Sequence, residues 1–422
     1  MVRLCSRLKI HYAWVILTGC FLLSCSGTTI LVNSVGIFIK PVSTAMGFSR
    51  ASFALFYTFS TLVATVMAPT TGLLLKRFGT KPMVMICTVG AAVTMFSYSF
   101  CQKLYQFYIC GCIAGLFTGA LMTMGISGLI YRWFAKKKAL AIGIAFSGSG
   151  FGTMLLNPVL SRTIETAGWQ TAFRLLGVLL LVCNLLGVLI FVIDRPEQIG
   201  LLPYGAEAGI EKDSGAAERS ICQKEALKMA PFWTLCAASA MAGFIGTGIQ
   251  QHIQAYFTDI GYTADYSAYV FSGVMLILVA GKLILGGFID KLGIRTGTTI
   301  ICLLLSFSAF VLLAGRLPWM PWAFIPLFGG GYAILSILPT NLTRTLLGAA
   351  DYSANYGVVT LFLNAGMASG SPFSAFVFDS AGSYKPAWII GVDYLRSSFP
   401  DHASNIPLGH KKIPPVRLKT HI

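Results

Sequence analysis

Apolar runs of about twenty residues, each long enough to cross the hydrocarbon core of a bilayer, recur along almost the whole chain. The pattern predicts spans near 12–38, 51–75, 83–101, 105–131, 139–160, 169–193, 231–257, 266–289, 298–315, 319–341 and 355–378. A backbone inside lipid must satisfy its own hydrogen bonds, so runs of this length are helices. The predicted class is an all-α, polytopic membrane protein. The first run begins after Arg3, Arg7 and Lys9. It continues too long for the apolar region of a signal peptide and reads as a retained span.

Composition agrees and charge sets the orientation. Of 422 residues, 55% are apolar and 11% charged, less than half the roughly 25% usual in soluble domains. Mean hydropathy is +0.74. A chain of this length and makeup cannot clothe a soluble globule in polar residues, which excludes a soluble enzyme, a disordered chain, a coiled coil and a collagen. The net charge of +16 would suit nucleic acid. Its placement argues for a bilayer instead. With a cytoplasmic N-terminus, the inner loops hold 18 Lys and Arg. The outer loops hold six: Lys40, Arg50, Lys103, Arg162, Arg316 and Lys385. That is the positive-inside asymmetry of a multi-pass protein, expected in the plasma membrane as a monomer without a nucleic-acid partner. Most of the 11 cysteines lie inside apolar runs and no CxxC occurs, so neither a metal site nor a disulfide framework is indicated. No cofactor is expected.

The chain repeats itself. A shift of 214 residues places Gly47 on Gly261, Gly72 on Gly286, Gly79 on Gly293, Gly115 on Gly329, Gly143 on Gly357, Gly152 on Gly366, Gly168 on Gly382 and Gly177 on Gly391, without a gap. Pro158 falls on Pro372. Chance would give about two such glycine coincidences. Two halves in the same order that both start inside have an even number of spans, and the first half reads as six. The domains predicted are a six-helix half (1–193), a polar cytoplasmic linker (194–230), a second half (231–392) holding spans seven to eleven and the start of a twelfth, and a polar tail (393–422). The copy of the sixth span should stand at 393–407, yet the residues there are polar, contain proline and are followed by a basic stretch. A break this abrupt suggests a frameshift or rearrangement after Val392. It predicts that the tail forms no packed helix, that the chain is unstable or transport-deficient, and that restoring an apolar helix there rescues it.

Two loops carry matching motifs. After the second span stand Gly72, Lys76, Arg77, Gly79 and Lys81; after the eighth stand Gly286, Asp290, Lys291, Gly293 and Arg295. Both resemble the G-x-x-x-D-R/K-x-G-x-R/K loop of the major facilitator superfamily, although Lys76 replaces the usual Asp. Six spans, a linker and six spans in parallel pseudo-symmetry is also the architecture of that family. Trp133-Phe134 with the lysines that follow, the glycines 148, 150 and 152 before Pro158, Gly168-Trp169, the segment from Pro196 to Gly205, and Asp379 with Gly382 and Tyr384 are similar to the oxalate/formate antiporter and monocarboxylate porter branch. The resemblance implies the major facilitator fold, with six spans visible in one half and five in the other. It also implies that the loop charges latch the halves together on the cytoplasmic side. A plain cationic topology anchor is compatible with the same residues.

Charge inside a span is expensive and usually functional. All 15 acidic residues lie in loops, at span ends or in the tail, which argues against a buried carboxylate that binds a cation. Lys282 is the deep charge, in Leu-Val-Ala-Gly-Lys-Leu-Ile-Leu-Gly. In the branch resembled, this position holds a cation, commonly Arg, that pairs with a substrate carboxylate. The other reading is a lysine that snorkels to the interface, a strained reach at about 10 Å from the helix end. The oxalate carriers have a second lysine in span eleven, and residues 355–379 contain neither Lys nor Arg. One negative charge per substrate is therefore expected. His252 is the histidine within a span, too far outward to share a static site with Lys282. It could carry a proton, serve an outer gate, or be a satisfied interfacial residue. Asn33 and Asn364 could face the pore or hydrogen-bond between helices. Gly-rich strings at 148–152 and 243–248 lie inside apolar runs, so they read as helix-packing faces and not as phosphate loops.

Together these point to a non-enzymatic secondary transporter of a small, monocarboxylate-like organic anion. It would work by alternating access, with a proton or counter-anion as coupled partner. An exporter of neutral or drug-like compounds and a truncated, non-transporting product are the alternatives.

Overall fold

The computed structural model describes residues 11–119, 125–206, 222–292, 294–333, 335, 339, 342, 343, 346–348 and 352–390. The apolar runs fold as helices. The first span is α1 (Ala13–Leu23), a π-helical stretch Ser24–Asn33 and α2 (Gly36–Met46). Spans two and three are α3 (Arg50–Phe78) and α4 (Thr80–Tyr98). Span four is described as α5 (Leu104–Gly119) and α6 (Gly125–Trp133). Spans five and six share α7 (Lys138–Phe191) and are parted at Gly168. The second half follows with α8 (Ala230–Asp259), α9 (Ala264–Leu292), α10 (Ile294–Leu312), α11 (Met320–Tyr332) and α12 (Tyr352–Ala381), the described parts of spans seven to eleven. Residues 385–390 are helical and begin a twelfth element. The expectations for 393–422 lie outside the described residues. Among those described, seven helices are long and apolar enough to cross a membrane, with shorter apolar helices at 104–118 and 299–312.

The repeat is realised in space. Buried apolar side chains separate into two cores, one drawn from residues 12–192 and one from 226–388. Each half therefore buries its own apolar faces. Large apolar residues such as Val66, Val93, Phe307 and Phe376 remain exposed on the outside, the pattern of a surface whose solvent is lipid. Repeat-related glycines do the same work in both halves. Gly168 and Gly382 both turn the chain with positive φ, 83° and 66°, which glycine alone adopts at no steric cost. Gly115 lies against the Ser60 carbonyl, and Gly329 against the Val274 carbonyl. These are equivalent contacts, of span four on two and of span ten on eight. A β-carbon on Gly329 would stand 2.7 Å from the Val274 oxygen.

Residues 194–206 are docked on the first half, because Tyr204 closes a short parallel bridge with the Trp133-Phe134 loop. The Tyr204 N–H donates to the Trp133 carbonyl (2.8 Å), and the Ala135 N–H donates to the Tyr204 carbonyl (3.0 Å). The Trp133 indole, fully buried, donates to the Ile193 carbonyl at 2.8 Å. Two motifs 70 residues apart in the chain are thus one packed unit, which serves backbone groups that would otherwise be orphaned.

Candidate functional site

Among the described residues, three seams join the halves. In the first, the first span crosses the seventh closely: a β-carbon on Gly36 would meet the Gln251 carbonyl at 2.5 Å. The second span touches the eleventh, where the Thr58 hydroxyl donates to the Ala368 carbonyl at 2.6 Å. The fifth meets the eighth, where Gly150 faces Met275 and Val279.

Polar side chains line the first seam. Asn33 donates to Thr153 Oγ1 (2.9 Å) and accepts from Gln250 Nε2 (3.2 Å). Gln250 Oε1 in turn accepts from the Tyr332 hydroxyl at 2.7 Å. One buried chain of amides and hydroxyls thus passes from spans five and one to spans seven and ten. Asn33 does not stand free in a pore; both of its functional atoms are used between helices. Gln251 donates to the Val32 carbonyl at 3.1 Å. The π-helical stretch brings Thr29 and Asn33 to the same wall of span five, where Thr29 donates to the Ser149 carbonyl at 2.9 Å.

Lys282 is half-buried on α9 and makes no hydrogen bond or ion pair with the described residues. Met275, Val279 and Lys282 follow the i, i+4, i+7 spacing of one helix face. Met275 and Val279 meet Gly150 of the other half, so Lys282 stands on the face of α9 turned towards the seam, not towards lipid. Asn364 is half-buried in α12 and, among the described residues, makes no hydrogen bond with Lys282. His252 is elsewhere, towards the Asp259 end of the first seam.

There the charges gather. Asp259, at the end of α8, accepts two bonds from Arg50 (2.6 and 3.1 Å) and one from Lys40 Nζ at 2.7 Å. Bidentate Arg–carboxylate pairing is among the stronger polar contacts a protein makes. Arg50 also donates to the Tyr384 hydroxyl at 2.8 Å and lies 3.8 Å from the Phe378 ring centre. Asp379 accepts from the backbone N–H groups of Arg50 and Ala51 (3.2 and 2.8 Å) and caps α3 from the opposite half. Behind this layer His252, fully buried, contacts the Tyr384 hydroxyl at 3.2 Å and the Ser371 carbonyl at 2.8 Å. Lys40 and Arg50 belong to spans one and two; Asp259, Asp379 and Tyr384 belong to the second half. The network ties the two halves together at this end, the one the sequence analysis expects to face outward. A cavity of about 520 Å³ opens beside it, lined by Lys40, Ser161, Glu165, Gln254, Thr258 and Tyr262 among others. Sequence reasoning counted Lys40 and Arg50 only as outer-loop charges. The signal it passed over was their sign: a cation ending span one and another starting span two, and a carboxylate ending span seven.

The loop motifs behave differently. Gly79 has φ 85°, and Asp194 fills the space beside it. Asp194 Oδ1 accepts from the Lys81 backbone N–H at 2.9 Å, which caps α4. Arg132 donates to Thr80 Oγ1 at 3.2 Å. All these contacts are within the first half. Arg77 lies 5.4 Å from the Phe78 ring centre, Gly72 has no atom in the space of its missing side chain, and the side chains of Gly286, Asp290, Lys291 and Arg295, with Gly293, lie outside the described residues.

The model of the family described as Major Facilitator Superfamily matches residues 17–371. The chain belongs to the major facilitator superfamily. A superfamily member of this fold is a multi-pass membrane transporter, not an enzyme. Relatives include monocarboxylate transporter 4 of Gallus gallus, 22% identical with 92% of this chain and 81% of that one covered. Monocarboxylate transporter 12 of Rattus norvegicus is 24% identical, with 97% and 87% covered. Among solved structures, the nucleoside transporter NupG superposes with a TM-score of 0.73 at 12% identity, covering 94% of this chain and 99% of that one. A bacterial homologue of the human lysosomal transporter Spinster, inward-facing and unoccupied, gives 0.67 at 14%, covering 93% and 94%. These likenesses in structure show the shared fold.

Proposed function

We propose that this major facilitator transporter carries a small monocarboxylate-like organic anion across the plasma membrane by alternating access, with its N-terminus cytoplasmic. The observation that carries the reading is Lys282: a cation deep in a span, without a partner among the described residues, on the helix face turned to the other half. An unpaired charge in that setting is costly, and a substrate carboxylate is the group that would neutralise it. The kinship to proteins named monocarboxylate transporters supports the same class. The absence of any Lys or Arg from residues 355–379 favours a monoanion over a dianion. The joined outer ends are what a closed outer gate requires, and the inward-facing Spinster homologue is similar in fold.

Uptake of a labelled monocarboxylate into proteoliposomes tests the reading. Lys282→Ala should abolish uptake while the protein still reaches the membrane, and Lys282→Arg should retain part of it. Full uptake by Lys282→Ala, with no competition from formate, lactate or pyruvate, would remove the anion site and favour a carrier of neutral compounds.

A further inference from the structure

The outer network contains a titratable group whose hydrogen bonds run in one direction only. The Ser371 carbonyl, 2.8 Å from His252 Nε2, can only accept, so Nε2 carries the ring proton. Arg50 can only donate, so the Tyr384 oxygen receives its N–H. The Tyr384 hydroxyl is then oriented to donate to His252 Nδ1, which is an acceptor in the neutral ring. The chain runs from Arg50 to Tyr384 to His252 to Ser371. It links span two of one half to spans seven and eleven of the other. Every link is satisfied only while His252 is neutral.

A second proton on His252 undoes the middle link. Nδ1 becomes a donor, and the Tyr384 hydroxyl hydrogen loses its acceptor. The added charge also falls in a crowded place. Tyr384 lies against the ring, and the charged groups of the network stand beyond it: Lys40 from span one, Arg50 from span two, Asp259 from its own helix and Asp379 from the end of span eleven, with Glu165 of span five lining the adjoining cavity. Arg50, held by Asp259, is the cation joined to the ring through Tyr384. An imidazolium adds a second positive charge next to it on a fully buried ring, which is unfavourable. Separating the halves relieves both faults, because water then reaches the ring.

We infer that His252 is a proton-binding site that releases the outer gate: neutral, it holds the halves together; protonated, it favours their separation. The inference rests on reading this face as the outer gate, as proposed above. The cavity beside Lys40 and Thr258 offers the proton a route from outside to the edge of the network.

Hydrogen–deuterium exchange on the whole protein in lipid nanodiscs, without substrate, tests this. Rates are measured near pH 7.5 and near pH 5.5 and corrected for intrinsic exchange. In the wild type, protection of the segments 250–259 and 376–390 should fall by about fivefold or more on acidification, the low end of a typical coupling. His252→Gln keeps a donor for Ser371 and cannot gain a charge, so its protection should not change with pH. Unchanged wild-type protection, or an equal fall in His252→Gln, overturns the inference. If His252→Gln does not fold, His252→Phe decides. It keeps a ring at this position and cannot take a proton; a wild-type fall in that variant overturns the inference. No substrate is involved, so failure here leaves the monocarboxylate reading standing. Lys282-independent transport would overturn that reading without touching this result.

Discussion

The two ends of the molecule use charge in opposite ways. At the end that holds His252 and Tyr384, Lys40, Arg50 and the capped start of α3 are bound by Asp259 and Asp379 across the boundary between halves. At the described loop after span two, Asp194 and Arg132 bind the start of α4 within one half. The first arrangement resists separation of the halves; the second stiffens one half as a rigid body. The alternating access proposed above requires both properties: rigid bodies, and a contact between them that can be made and broken. The position usually held by an Asp in the loop motif is Lys76 here, and Asp194, more than a hundred residues later, supplies the carboxylate that the turn at Gly79 accommodates.

The comparison breaks most visibly at Asp259. Asp259→Ala leaves Lys40 and Arg50 without a counter-charge. Their side chains are 34% and 11% exposed, so the cost lies below that of a fully buried pair, about 1–3 kcal/mol. It should appear as outward opening, read by labelling of Ser34→Cys from outside in a background free of native cysteines. The paired exchange Arg50→Asp with Asp259→Arg should restore the seal in part; no recovery would mean that the bidentate pair is not what holds the ends. Asp379→Ala comes next. It removes a helix cap that also bridges the halves, costing about 1–2 kcal/mol, with a smaller rise in the same labelling. Asp194→Ala should cost about 1 kcal/mol through loss of a cap. It should lower the thermal unfolding temperature while leaving labelling at position 34 unchanged. A rise in labelling there would show that the cytoplasmic motif also couples the halves. Lys40→Ala should have the smallest effect, about 0.5 kcal/mol, because its ammonium is the most exposed of the three.

Much of the architecture was legible in the chain. Apolar runs set the spans, because lipid leaves a backbone no partner but itself. The 214-residue repeat announced two similar halves; of its glycines, Gly168 and Gly382 both turn the chain, and Gly115 and Gly329 make equivalent close crossings. The basic loops gave an expected orientation, and Lys282 was conspicuous as a charge where charges are rare. These are properties of local composition and period, and they survive without knowledge of what touches what. The partners did not show. Arg50 and Asp259 are 209 residues apart, and each alone is an ordinary charge at a span end. His252 read as a proton carrier, a gate or a bland interfacial residue, and the sequence did not show Tyr384 and Ser371 as its partners. Asn33 read as facing the pore or bonding between helices, and the sequence did not show Thr153 and Gln250 as the partners of its amide. Which face of α9 carries Lys282 followed only from the contact of Met275 and Val279 with span five. Helices in a bilayer form from their own sequence, but their rotation and partners are decided when they pack, since lipid solvates every apolar face alike and only the interlocking of glycines and polar groups tells one face from another.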